Sequence, residues 1–433
     1  MLNRYLTISL LTIYFFLIGF TNVSGEAGVG ISGRVIYADF FVLVVMMISF
    51  LFTRKINLFP NLGIYFAFLF VMFVSLIFAR DPSGGWIEIL VHFFNFVTAI
   101  ALFNLVSNTR DLSLSDILRC FLYSMAAIAV LGILQFMVFP SWFGGREVGG
   151  LVGTFRNTGQ AGTFFGMGLA VFIPALAAGL LKRSPLNLAA LILILICLIL
   201  TVKRASILGL SVGILGFVIL LAVTSRGADR KRNLIFILLM IVAMPVVSQI
   251  IDYGTANVKG LENRFERKIE NFTVEEFSDK FFGSNIGSAM DAFEDNPILG
   301  AGPGNIIGDY TDKYEIHSTP FSILSSAGLL GLAAYLIFLL HWIYAIWRAG
   351  RRTLIEEKFL FYFQPFLFGL IVSWGYTYHV RKREFWVLYA IIAFAIYIVR
   401  RYRNSQKQSE AISGERLAQQ GFQRQPTMAE HRP

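Results

Sequence analysis

Apolar residues along this chain come in long unbroken runs, not in the alternation of a half-buried strand or the single stripe of a soluble helix. Twelve such runs are separated by short polar or basic breaks, at residues 5–23, 36–53, 61–79, 87–107, 117–139, 158–181, 186–202, 205–224, 233–251, 319–347, 359–378 and 384–400. A helix that crosses the hydrocarbon core of a bilayer needs roughly 20 apolar residues. In lipid the backbone must satisfy its own hydrogen bonds, which leaves helices and closed barrels, and the period-2 pattern of a barrel strand is absent. The pattern predicts an all-α polytopic membrane protein with about twelve transmembrane helices. The first run, within "MLNRYLTISLLTIYFFLIGFTNVSGEA", reads either as a span or as a cleaved signal peptide.

The breaks divide the chain. Residues 1–251 form an N-terminal transmembrane bundle of about nine spans, 252–318 one large loop, 319–400 the C-terminal spans and 401–433 a tail. In the loop, "LENRFERKIENFTVEEFSDKFF" puts Leu261, Phe265, Ile269 and Phe272 at helical spacing. A second short helix is predicted in "GSNIGSAMDAFEDNPILGAGPGN", ended by Pro297 and the glycines. The tail, rich in Gln, Arg and Ser, is expected to be disordered and cytoplasmic.

Composition sharpens the membrane reading. The chain is 56% hydrophobic and 15% charged, with mean hydropathy +0.65, against about 45–50% and about 25% in ordinary soluble domains. The net charge of +10 does not point to nucleic acid, because the cations sit in short loops, where they set topology. With the N-terminus cytoplasmic, the inner loops carry Arg54, Lys55, Arg110, Lys182, Arg183, Arg226, Arg230, Lys231, Arg232, Arg348, Arg351 and Arg352. The outer loops carry only Arg34, Arg80, Arg146 and Arg156, and the large acidic loop also faces out. Two outward sites break the rule: Lys203 and Arg204 in "TVKRAS", and Arg381, Lys382 and Arg383 in "YHVRKREF". Cys120 and Cys197 lie inside apolar runs and read as small core residues.

Candidate chemistry follows from charges at membrane edges, which are rare and functional by default. Arg204 either sits in a plain extracytoplasmic turn or offers a fork of donors to a phosphate. Glu88 and His92, four apart on one helix face, are placed to pair with each other. His317 opens a span, with Ser318 or Thr319 as candidate cap and Pro320 in the first turn. It is either an interfacial cap histidine or a general base, since an imidazole with a pKa near 6.5 accepts a proton from a hydroxyl near neutral pH. "GAGPGN" (Gly300, Gly302, Gly304) lacks the Lys-Ser/Thr of a phosphate-binding P-loop and reads as a turn or as a backbone nest for an anion. Glu275, Glu276 and Asp279 read as a solvated face, and no Cys/His cluster has zinc spacing, so no metal and no cofactor are expected.

Taken in order, "KRASILGL", "DNPILGAGPGN" and "HSTPFSILSSAGLLGLAAYLIFLL" resemble the O-antigen ligase and O-antigen polymerase superfamily of bacterial envelope glycan enzymes, over roughly residues 120 to 400. The resemblance implies a GT-C-like fold in the bacterial inner membrane. It implies a metal-independent glycosyltransferase that takes a glycan from a polyprenyl (undecaprenyl) diphosphate carrier on the periplasmic face. The acceptor is another lipid-linked repeat unit for a polymerase of O-antigen or exopolysaccharide, or the lipid A core for a ligase of lipopolysaccharide. Polymerase is the favoured expectation, ligase the alternative, and a transporter or flippase a third reading. A flippase and a chain-length regulator are the implied protein partners, alongside membrane lipid and no nucleic acid.

By position, His317 matches the family's loop histidine that activates the acceptor, and Arg204 an arginine that holds diphosphate. Asn296, Pro297, Gly300, Gly302 and Gly304 match the loop motif. The sequence departs from the family at Ser318, where Asn is common, and at Asn285, where a second arginine is common. Arg264 and Arg267 are the substitutes expected for that arginine, and Arg381 and Arg383 are further candidates to touch phosphate.

Overall fold

The computed structural model describes residues 2–21, 36–53, 56–59, 61–79, 82–139, 142, 150–224, 249, 286–304, 316–351 and 353–423. Within them the chain folds into twelve α-helices: α1 (Arg4–Leu17), α2 (Tyr37–Thr53), α3 (Asn61–Ser75), α4 (Pro82–Ser107), α5 (Leu114–Met137), α6 (Thr158–Ala178), α7 (Pro185–Leu200), α8 (Arg204–Thr224), the short α9 (Gly287–Asp295), α10 (Thr319–Ala349), α11 (Ile355–Trp374) and α12 (Arg383–Gln423). Seven are long and apolar enough to cross a membrane, namely α3 with its 3-10 extension, α4, α5, α6, α8, α10 and α12; α1, α2 and α7 are shorter apolar helices. This is a multi-pass all-helical membrane protein. Eleven of the expected spans coincide with helices; of the expected span 233–251 only residue 249 is among the described residues.

The bundle is organised around α6. Its apolar stretch is buried all round, as expected of a helix without a polar face. Helices α5, α7, α8, α11 and α12 pack against it. On one side α8 and α11 cross in close contact, and on the other α2, α3, α4, α10 and α12 interlock. Aromatic rings fill the second side: Trp342, Trp386, Tyr65 and Tyr389 are fully buried there. Cys120 and Cys197 are buried free thiols in the core.

The loop motif has a structural use. Gly328 breaks α10 with φ 61° and ψ −161°, so Leu329 and Leu330 lose their partners one turn back. Their N–H groups donate instead to the carbonyls of Pro297 and Ile298, at 2.9 and 3.2 Å, while the Ser325 carbonyl accepts from Ala301 N–H at 2.8 Å. The "NPILGA" turn is thus threaded into an opened turn of the helix. Irregular backbone is tolerated inside a bundle when another segment satisfies it. A Cβ on Gly328 would lie 2.4 Å from the Ile298 carbonyl, so only glycine fits.

The tail differs from expectation. Instead of ending near residue 400, α12 runs as one helix to Gln423. Arg403 anchors the turn that follows the expected span. Its guanidinium donates to Glu357 Oε1 (2.6 and 3.0 Å) and to the carbonyls of Arg348 and Ala349 at the end of α10. Composition alone misses this clip, because the Glu357 partner comes from α11.

Candidate functional site

The two departures from the positive-inside pattern form walls of one cavity. It measures about 410 Å³ and is lined by Arg156, Lys203, His317, Arg381, Lys382 and Arg383, with Asn157, Gln160 and Tyr378 among the remaining polar groups. Nearly every lining residue belongs to a helix end that the charge pattern places outside.

Helix ends supply the geometry. The starts of α6, α8, α10 and α12 all meet the cavity or flank it, so the positive ends of four helix dipoles point to one mouth. At α6 the Asn157 side chain accepts from Gln160 N–H. Gln160 Oε1 in turn accepts from Thr21 Oγ1 at 2.8 Å, tying the end of α1 to this wall. Lys203 reaches the cavity because it passes over Gly162, where a Cβ would lie 2.5 Å from the lysine Cβ.

The triplet after α11 is held from below. Arg381 Nη1 donates to Glu88 Oε2 at 3.1 Å, and its guanidinium centre lies 5.5 Å from the centroid of the Tyr378 ring. The Tyr378 hydroxyl is 2.9 Å from His92 Nε2, and His92 Nδ1 is 2.8 Å from the Tyr65 hydroxyl. The expected Glu88–His92 pair is present at 3.6 Å, as part of this larger network. Lys382 Nζ donates to Thr163 Oγ1 at 3.1 Å. Arg383 makes two bonds to the buried Asp39, one of them Nε to Oδ1 at 2.6 Å. Arg381 and Arg383 are therefore fixed before any ligand arrives.

His317 is exposed between the buried Ile316 and Ser318. Ser318 takes the N-cap position of α10, but its hydroxyl makes no capping bond. Thr319, with Pro320 in the first turn as expected, turns its hydroxyl to the α11–α12 loop instead. It lies 2.6 Å from the Thr377 carbonyl and 2.7 Å from His379 Nδ1. Burial, with the Lys382 charge second, pushes the His379 pKa well below its usual value, so the ring is neutral.

Of the site residues expected from sequence, the cavity gathers His317, Arg381 and Arg383. Arg204 opens α8, half-buried, and the lining residue is its neighbour Lys203. Asn296, Pro297 and Gly300 belong to the turn against α10, Gly302 and Gly304 pack against Ala79 and Gly84, and none of the five is on the cavity wall. Arg264 and Arg267, the expected loop helix and Glu275, Glu276 and Asp279 lie outside the described residues. Sequence reading passed over Arg156, Lys203 and Lys382 as site residues. The available signal was that all three are cations on outward turns. No group of three or more His, Cys, Asp or Glu side chains that could hold a metal occurs among the described residues.

Residues 189–336 match the O-antigen ligase family. The matched segment runs from α7 to the middle of α10 and so includes Lys203, Arg204, the "NPILGA" turn and His317. The other cationic walls, Arg156 and Arg381 to Arg383, lie outside it. No curated protein matches the chain.

Proposed function

We propose that the cavity holds the diphosphate of a polyprenyl diphosphate-linked glycan and transfers the glycan to an acceptor hydroxyl, in the periplasm of a bacterium and at its inner membrane. The observation that carries this reading is the convergence of five cationic side chains and His317 on one cavity. Arg156, Lys203, Arg381, Lys382 and Arg383 face the diphosphate, with Arg204 beside Lys203 at the head of α8. Arginine suits this work because its planar fork matches phosphate oxygens.

The steps follow from the charge. His317 accepts the proton of the acceptor hydroxyl. That oxygen bonds to the anomeric carbon of the donor glycan, and the bond from this carbon to the phosphate oxygen breaks. Polyprenyl diphosphate leaves with the electron pair. Negative charge grows on the leaving oxygen, and fixed guanidinium and ammonium groups stabilise it without reorganising. An imidazole, whose unperturbed pKa is near 6.5, is the side chain suited to take a hydroxyl proton near neutral pH.

The finer reading is a repeat-unit polymerase, with an acceptor that is itself lipid-linked. A ligase has the same donor site and a different acceptor, and the family match carries the ligase description. Deleting the gene separates them. Lipid A core capped with a single repeat unit indicates a lost polymerase. Free lipid-linked polymer beside uncapped core indicates a lost ligase. Purified protein that transfers no glycan in detergent from an undecaprenyl diphosphate-linked donor refutes both.

A further inference from the structure

We infer that His379 is a positioning residue that locks the helix carrying His317 to the loop carrying Arg381, Lys382 and Arg383, through the hydroxyl of Thr319. This rests on the assignment of His317 as the base and goes beyond it to a residue pair with no place in the chemistry above.

The bonding at Thr319 leaves little freedom. Its hydroxyl has one proton, and a carbonyl can only accept, so Oγ1 donates to Thr377 O at 2.6 Å. The same oxygen accepts the His379 backbone N–H at 3.1 Å. At 2.7 Å from Oγ1, His379 Nδ1 must then be the protonated nitrogen. Nε2 is left as acceptor, and the Tyr335 hydroxyl stands 3.3 Å away to donate. One neutral tautomer satisfies every partner.

The ring is clamped in the other directions as well. It stacks flat on Trp374 with centroids 3.7 Å apart and meets Phe385 edge-on at 4.7 Å. Its backbone carbonyl accepts Lys382 N–H at 2.8 Å, closing the turn that presents the cationic triplet. His379 therefore holds α10 with its side chain and the triplet with its backbone. Thr319 is the first residue of α10, two positions after His317. A shift at Thr319 moves the base relative to the cations. Misplacement of about 1 Å can cost about 100-fold in rate.

The test uses full-length protein in detergent with an undecaprenyl diphosphate-linked repeat unit as donor, rates being normalised to folded protein by size-exclusion chromatography. Thr319→Val keeps the shape and removes the hub; Thr319→Ser keeps the hub. Thr319→Val is expected to lower kcat by about 10- to 100-fold, with KM for the donor within about twofold. Thr319→Ser is expected to restore most of the turnover. A merely structural role would lower the folded yield and leave kcat per folded molecule unchanged. Should the valine variant fail to fold, His379→Leu carries the same measurement, since it keeps an apolar side chain against Trp374 and offers no donor to Oγ1. Wild-type kcat in folded Thr319→Val or in folded His379→Leu, with His317→Ala inactive, overturns the positioning role and leaves the base assignment standing. Full activity of His317→Ala overturns the base assignment itself.

Discussion

Glu88 and Arg381 meet beside the cavity although 293 positions separate them, the carboxylate accepting from Nη1 at 3.1 Å. Glu88 is almost fully buried on α4, and Arg381 lies half-buried at the turn into α12. The pair aims a cation that the Tyr378 ring supports from a second side. Glu88→Gln keeps the shape and removes the charge that holds the arginine. A hydrogen bond to a charged group contributes about 1.5–3 kcal/mol. The expected result is a rise of about tenfold in donor KM, with a smaller change in kcat, read by steady-state kinetics. An unchanged KM removes Glu88 from donor binding.

Asp39 and Arg383 give a different outcome. Their side chains are 1% and 12% exposed, so removing one charge strands the other. Breaking such a pair costs about 3–5 kcal/mol. Asp39→Asn is expected to lower the thermal midpoint in detergent sharply, and to lose donor binding with it. A wild-type melt would sink this account.

His317→Ala is expected to abolish transfer in protein that still inserts. At the head of α8 two neighbours compete for the phosphate role. Because Lys203 lines the cavity, Lys203→Ala is expected to raise donor KM more than Arg204→Ala does. If Arg204→Ala is the more damaging and Arg204→Lys does not rescue it, the family-derived role of Arg204 is the correct one.

Gly328→Ala tests the threaded turn. The alanine methyl would meet the Ile298 carbonyl, and the backbone conformation itself costs about 1–3 kcal/mol for a non-glycine residue. The expected result is a clear loss of thermal stability at unchanged expression. A variant as stable as wild type would show that the turn adapts freely.

The buried His379 makes stability depend on pH. In the folded protein its pKa lies well below 6.5, for burial first and the Lys382 charge second. The unfolded chain therefore binds the extra proton first as pH falls. The contribution is fully present above about 6.5 and is lost as pH drops towards the folded pKa, with a limiting slope of about 1.4 kcal/mol per pH unit. Thermal melts between pH 7 and pH 5 are expected to fall more steeply for wild type than for His379→Asn. Parallel curves would mean that His379 stays solvated.

The membrane-spanning pattern was legible in the sequence because it is a matter of run length. Lipid demands self-satisfied helices about 20 residues long, and each expected span within the described residues became a helix. The two basic turns were legible too, as cations where topology disfavours them. What they do together was not, because Lys203 and Arg381 are far apart in the chain and share only a cavity. The glycines of "GAGPGN" read first as a turn, with an anion nest as the alternative. The N–H groups orphaned at Gly328 are satisfied by the carbonyls of Pro297 and Ile298 just before those glycines, a use of the loop that the sequence does not show. The contact of Arg403 with Glu357, which holds α12 beyond the expected span, joins residues from different helices and has no local signal. His379 gave no signal at all, as one buried histidine is chemically silent until its neighbours are known. Local pattern and charge fixed the spans and marked the cations. Tertiary structure chose their partners, since carboxylates such as Asp39 and Glu88 and hydroxyls such as Thr319 come from helices that only packing brings together.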